Sequence, residues 1–209
     1  STLLWLVAGL RRPSSGTVVC DGEPMTAPMP RKVGMIFQEA NLLPWLPGVD
    51  NVALPLKPPR VAKAARLAAA RRMLELTGLA GFEDRLPHQL SDGMKQRVSI
   101  ARGLVQNPAV LLMDEPFASL DEQTRMVLGD ELLRIWSETR KTVLFVTHSL
   151  NEAVYLADRV IVLSARPGRV VDDVAVDLPR PRSFAMTTSE RFGILKDRIW
   201  QHIKSAERR

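Results

Sequence analysis

Apolar positions along the chain fall into short runs separated by turn formers, and the period of the runs changes from element to element. Ser1–Leu10 is apolar and helix-compatible, yet it begins without a preceding turn or strand, as a chain entered inside an element does. Gly16–Pro24 sets Thr17, Val18 and Val19 before Asp21-Gly22, the mark of a tight turn between antiparallel strands. Lys32–Gln38 is another short run with strand character. Pro44, Pro47, Pro55, Pro58 and Pro59 then interrupt positions 41–59, too many for a long regular helix, which predicts a structured connector.

Val61–Leu76 is rich in the strong helix formers Ala, Arg, Leu and Met, with Gly78 placed as a stop. Met94–Gln106 predicts a further helix that ends before Asn107-Pro108. Ala109–Met113 is a continuous apolar run of the kind a buried parallel strand needs, with Asp114 and Glu115 at its exit. Leu128, Leu132, Ile135 and Trp136 recur at helical spacing within Glu122–Thr139, and the β-branched run Thr142–Val146 comes next. Ser149 with Glu152 forms a capping box, which predicts a short helix from just after His148 to Asp158. Val160–Leu163 and Arg169–Val176 are strand candidates. Two prolines break Leu178–Ser183, and a last helix from about Ser189 carries Phe192, Leu195, Ile199 and Ile203 on one stripe. Alternating strands and helices predict an α/β fold: a mostly parallel sheet, an inserted α-helical subdomain and a partial antiparallel β part, as a single domain over residues 1–209.

Composition narrows the function classes. With 209 residues, 45% of them hydrophobic and 25% charged, the balance is that of an ordinary globular domain. The apolar runs Val110–Met113 and Val160–Leu163 fall far below the roughly 18 residues of a membrane span, so the chain is not expected to cross a bilayer. One cysteine, Cys20, excludes an intramolecular disulfide framework and fits a reducing compartment. The net charge of +6 suits nucleic acid, nucleotide phosphates or an anionic membrane face. Its basic residues are scattered, with small clusters at Arg11–Arg12, Arg71–Arg72 and Arg208–Arg209, and the low aromatic content leaves no stacking platform for bases. Nucleic acid is not an expected partner.

Two places carry candidate chemistry. The run Val110–Glu115 delivers adjacent carboxylates at the carboxyl end of a strand, where open α/β sheets place their ligand crevice. In nucleotide hydrolysis the first such carboxylate holds a metal through its hydration shell and the next orients or deprotonates water. A strand ending in two acids also serves as an ordinary turn or cap. Leu90–Arg97 sets Ser91, Asp92 and Gly93 at a helix start, where backbone N–H groups meet a phosphate or merely complete a cap.

That octet, with Ile100-Ala101-Arg102, Asn107-Pro108, the apolar run into Asp114-Glu115-Pro116 and then Ser119-Leu120-Asp121 after it, resembles the ATP-binding cassette family, the nucleotide-binding subunits of ABC transporters. Leu90–Arg97 is similar to the family signature, Val110–Glu115 to Walker B, Ser119–Asp121 to the D-loop, His148 to the switch histidine, and Gln38, after Met35-Ile36-Phe37, to the Q-loop glutamine. The resemblance implies a P-loop NTPase-like fold, with Q-loop, helical subdomain and signature region at approximately residues 40–105. It implies ATP and Mg2+ as cofactors: Asp114 on magnesium, Glu115 on the catalytic water, Gln38 on metal and water, His148 on the γ-phosphate. It also implies a head-to-tail dimer, in which Ser91 and Gly93 complete the site of the second copy and Asp121 lies across the interface.

The family's phosphate loop reads G-x-x-x-x-G-K-[ST], and Ser1-Thr2-Leu3-Leu4 resembles the residues that come after its lysine. Ser1 and Thr2 are then nucleotide contacts and Ser1 a magnesium ligand. The glycines that wrap the phosphates and the lysine that neutralises them are not in the sequence, so the chain is expected to start within Walker A, to bind ATP poorly as written and not to turn it over. An unpaired sheet edge is expected to leave it marginally stable. Asp92 stands at the first glycine of the usual L-S-G-G and is expected to face solvent, since Asp is favourable in a first helical turn.

Phe37–Trp45 resembles the Q-loop segment of importers for nitrate, sulfonates and taurine, and Ala165–Arg169 fits the same group. The implied role is to power import of such a small solute from the cytoplasmic face of the bacterial inner membrane. The implied partners are integral-membrane permease subunits and, indirectly, an extracytoplasmic solute-binding protein. Two alternatives stay open: a truncated inactive subunit that docks through Gln38–Pro59 without hydrolysis, and a non-transport cassette ATPase, which the lack of sustained heptads or a second cassette discourages.

Overall fold

The computed structural model describes residues 1–20, 22–58 and 60–207; Asp21 of the expected turn, Pro59 of the connector and the Arg208–Arg209 cluster lie outside the described residues. The opening apolar stretch forms α1 (Thr2–Val7), and the Gly16–Pro24 run forms an antiparallel pair, β1 (Val19–Cys20) and β2 (Glu23–Pro24), with Cys20 opposite Glu23. Backbone contacts divide the chain into two compact units, the first Ser1–Leu128 with Arg134–Val146, the second Gly129–Leu133 with Thr147–Arg209.

At the centre of the first unit is a parallel sheet of β3 (Val33–Ile36), β4 (Val110–Asp114) and β5 (Thr142–Val146), in that order. Leu112 and Met113 of the middle strand are fully buried, as expected of an apolar run flanked by a strand on each side. Ile36 stands opposite Met113, and Asp114 opposite Val146. Leu4, Ala8, Met25, Val33 and Leu112 pack together on this sheet.

The expected connector contains regular structure: a short helix, α2 (Gly48–Ala53), runs into a 3-10 turn at Leu54–Leu56. Its prolines bracket the helix instead of breaking it. Pro47 is the N-cap residue and Pro55 falls in the following turn, both places where a missing N–H costs nothing. With α3 (Lys63–Leu76) and α4 (Asp92–Leu104), α2 builds a separate apolar core around Val52, Ala53, Ala70, Leu74, Val98 and Ala101. Helix α4 starts two residues earlier than the apolar pattern predicts, because the Ser91 hydroxyl accepts the Met94 amide at 3.3 Å and draws Asp92 and Gly93 into the first turn.

Helix α5 (Glu122–Thr139) and β5 keep the predicted bounds. The second unit holds α6 (Leu150–Leu156), an antiparallel hairpin of β6 (Arg159–Leu163) and β7 (Val170–Ala175), and α7 (Glu190–Glu207). Its core gathers Val154, Val162, Val174, Phe192, Leu195 and Ile199. Helix α6 stops at Leu156, short of the expected Asp158, where the buried Arg182 guanidinium donates to the carbonyls of Tyr155 at 3.0 Å and Ala157 at 2.7 Å. Tyr155 donates to Asp130 at 2.5 Å; burial, then that carboxylate, pushes the phenol well above its usual range. Among the described residues, no helix is long and apolar enough to cross a membrane.

Candidate functional site

Strand β4 carries Asp114 as its last residue, with a side chain only 12% exposed. Its Oδ1 atom is buried and accepts no hydrogen bond among the described residues, and it pairs with the Ser1 amino group at 3.4 Å. A buried carboxylate oxygen is ordinarily hydrogen-bonded, so one that has an ion-pair contact of 3.4 Å and no hydrogen bond has coordination to spare. Hard carboxylate and hydroxyl oxygens are magnesium donors, and the Asp114 carboxylate beside Ser1 fits such an ion.

Glu115, half-buried, comes next in the left-handed region at φ +46°, and its N–H donates to the Val146 carbonyl at 3.0 Å. That conformation is costly for a side chain other than glycine and ends the strand at once. Gln38 is exposed, two residues beyond β3, so it lies past the carboxyl end of the strand next to β4. Ser1 is the N-cap residue of α1 and Thr2 its first residue.

The Leu90–Arg97 octet and the Asp121 turn meet. A Cβ built on Gly93 would sit 2.8 Å from the Thr124 methyl, closer than real side chains approach, so α4 and α5 start in direct contact only because residue 93 is glycine. Asp121 caps α5, accepting the Thr124 hydroxyl at 2.6 Å and the Thr124 amide at 2.9 Å. Those two bonds, the hydroxyl's first, hold its carboxyl below the ordinary range. Asp92 is exposed and paired with Lys95 at 2.8 Å.

In the second unit His148 is exposed and falls in sequence between Thr147 and Ser149, two members of a small hydrogen-bonded knot. Ser149 Oγ accepts the Glu152 amide at 3.3 Å, the expected half of the capping box. The other half is replaced: Glu152 accepts the Thr147 hydroxyl at 2.5 Å, and Thr147 Oγ1 in turn accepts the Ser149 amide at 2.9 Å. Of the residues named from sequence, the structure brings Ser1 to Asp114 and Gly93 to the Asp121 turn. Thr124 and Thr147 belong to none of the sequence motifs; each is a hydroxyl two or three positions from a capping residue, and that spacing is the one signal the sequence offers for them.

A sequence profile described as ABC transporter matches residues 1–118, more than half of the chain. The chain belongs to the ABC transporter family. It is 46% identical over 209 residues to the uncharacterized ABC transporter ATP-binding protein MJ0412 of Methanocaldococcus jannaschii, covering 98% of this chain and 78% of that one. It is 42% identical to the aliphatic sulfonates import ATP-binding protein SsuB of Bacillus cereus, over 98% of this chain and 78% of that one. To the taurine import ATP-binding protein TauB of Burkholderia thailandensis the identity is 47%, over 86% of this chain and 69% of that one. Among solved structures, the ATP-binding cassette MJ0796, a dimer in a post-hydrolysis state bound to ADP and Pi, superposes with a TM-score of 0.72 at 32% identity, over 88% of this chain and 81% of that one.

ABC transporter ATP-binding subunits bind ATP with Mg2+, and their cassette has the P-loop NTPase fold to which the parallel sheet, helical insertion and antiparallel pairs of this chain conform. The chain is an ATPase subunit of an ABC transporter.

Proposed function

We propose that Asp114, Glu115, Gln38, Ser1 and Thr2 form one face of a MgATP site, with His148 as its switch residue. In a second copy bound head to tail, Ser91, Gly93 and Asp121 complete that site. Bound MgATP supplies the γ-phosphoryl group that water attacks. Asp114, Ser1 and Gln38 would hold the cation, which would neutralise phosphate charge; Glu115 would orient the attacking water and take its proton, and His148 would contact the γ-phosphate. Such groups act by being fixed before the reaction begins. The observation that carries the reading is the buried Oδ1 of Asp114, which accepts no hydrogen bond among the described residues and lies 3.4 Å from the Ser1 amino group.

The cargo we assign is a sulfonate such as taurine, supported by the import functions in the names of the SsuB and TauB relatives; a small anion of the nitrate type is the alternative, resting on the resemblance of Phe37–Trp45 alone. A solute-binding protein on the far side and a permease pair in the inner membrane complete the system, with this subunit peripheral on the cytoplasmic face. The 209 residues contain no G-x-x-x-x-G-K-[ST] run, and we propose that these residues by themselves bind ATP poorly and do not turn it over. The test is therefore made on the natively assembled transporter. Glu115→Gln should lower ATP turnover by about 100-fold or more while ATP-dependent pairing of two subunits persists. Turnover within threefold of wild type would remove Glu115 from the chemistry.

A further inference from the structure

Helix α4 grips the backbone on both sides of Gln38. Ahead of it, the buried Gln96 carboxamide donates to the Phe37 carbonyl at 3.2 Å. Behind it, the two terminal nitrogens of Arg102 donate to consecutive carbonyls, those of Ala40 at 2.5 Å and Asn41 at 2.8 Å. Consecutive carbonyls of an extended chain point in opposite directions, so a single planar fork reaches both only if the chain bends between them. Asn41 makes that bend at φ +46°, a region Asn enters more readily than most residues. Close packing reinforces the grip: a Cβ on Gly34 of β3 would fall 2.6 Å from the Gly103 carbonyl of α4, so strand and helix backbones touch.

Beyond the bend lies Trp45, 70% exposed, a large apolar side chain presented to whatever docks there. Gln38 is exposed at the other end of the same stretch. We propose that Arg102 is a positioning residue: its guanidinium locks the Ala40–Asn41 bend, so that a membrane partner displacing the Trp45 stretch moves Gln38 and α4, with Ser91 and Gly93 at its start, as one body. This rests on the reading of Gln38 and of the membrane partner given above.

The test has two arms. In the 209-residue chain, amide hydrogen exchange over residues 38–46 should speed up about tenfold in Arg102→Met, with residues 96–104 unchanged. Arg102→Lys keeps the charge but offers one nitrogen in place of the fork; it should speed exchange by an intermediate factor and stands in if the Met variant fails to fold. In the assembled transporter, Arg102→Lys should lower permease-stimulated kcat at least fivefold with the KM for ATP within twofold, a split that general destabilisation does not produce. Exchange within twofold of wild type in both variants overturns the clamp. Loosened exchange with unchanged stimulated kcat overturns its role in coupling. A wild-type assembly whose turnover no permease stimulates counts against the transporter reading, while the exchange arm still decides the clamp.

Discussion

Asp114 and Asp121 lie seven positions apart in the same unit and use a carboxylate in opposite ways. Asp121 is exposed, and its two oxygens are committed to the hydroxyl and amide of Thr124. Asp114 is buried, and its Oδ1 accepts no hydrogen bond among the described residues, meeting the Ser1 amino group at 3.4 Å. Water could have satisfied the exposed group at no cost, whereas the buried one sits where an unmet acceptor is expensive. The difference teaches where to look for chemistry: Asp121 uses its charge to start a helix, and Asp114 holds its charge in reserve for a cation.

The strongest way to break the comparison is to neutralise the reserved charge. Asp114→Asn in the assembled transporter should cost about 100-fold or more in ATP turnover, yet the chain should melt no lower than wild type, since a buried charge has been replaced by a neutral isostere. A large drop in melting temperature would mean that Asp114 is structural after all.

A smaller effect probes the junction beside Asp121. Gly93→Ala should destabilise the chain by about 1–3 kcal/mol, the usual cost of overpacking, through its collision with the Thr124 methyl. Thr124→Ser removes that methyl and keeps the hydroxyl, so the double variant should recover most of the loss; equal melting of the single and double variants would refute the contact.

The weakest effect belongs to Asp121 itself. Its depressed pKa means that the stability it contributes is present above the unfolded carboxyl value, about pH 3.9, and is lost as pH falls through the folded value. Asp121→Ala should lower the melting temperature by a few degrees at pH 7 and by progressively less as pH falls through the folded-state value. A gap that does not shrink with pH would show that the carboxylate is not the cap.

Much of the molecule is legible in its sequence, and the rest is hidden for identifiable reasons. Periodicity marks the bounds of α5 and β5 because their apolar positions are many and uninterrupted. Helix α2 is obscured by Pro47 and Pro55, which fall at its edges, where proline is harmless, and a residue count cannot tell an edge from an interior. The residue types of the candidate site are visible because they sit in short contiguous motifs: Asp114 beside Glu115, Ser91 near Gly93. Their supports are not. Arg102 reaches Ala40 across 62 positions, and the Gly93–Thr124 contact joins two helices, so neither leaves a local trace. The knot at Thr147 substitutes a hydroxyl for the backbone N–H that a complete capping box would use, a choice made by geometry and not by residue type.

The most direct test of the reserved carboxylate is cation binding measured without turnover. Manganese, a paramagnetic stand-in for magnesium, is titrated into the assembled transporter with a non-hydrolysable ATP analogue, and the bound ion is followed by electron paramagnetic resonance. The wild type should hold one manganese per nucleotide site, and Asp114→Asn should weaken that binding at least about tenfold while still binding the analogue. Equal manganese affinity in the two proteins would contradict the assignment of Asp114 to the metal.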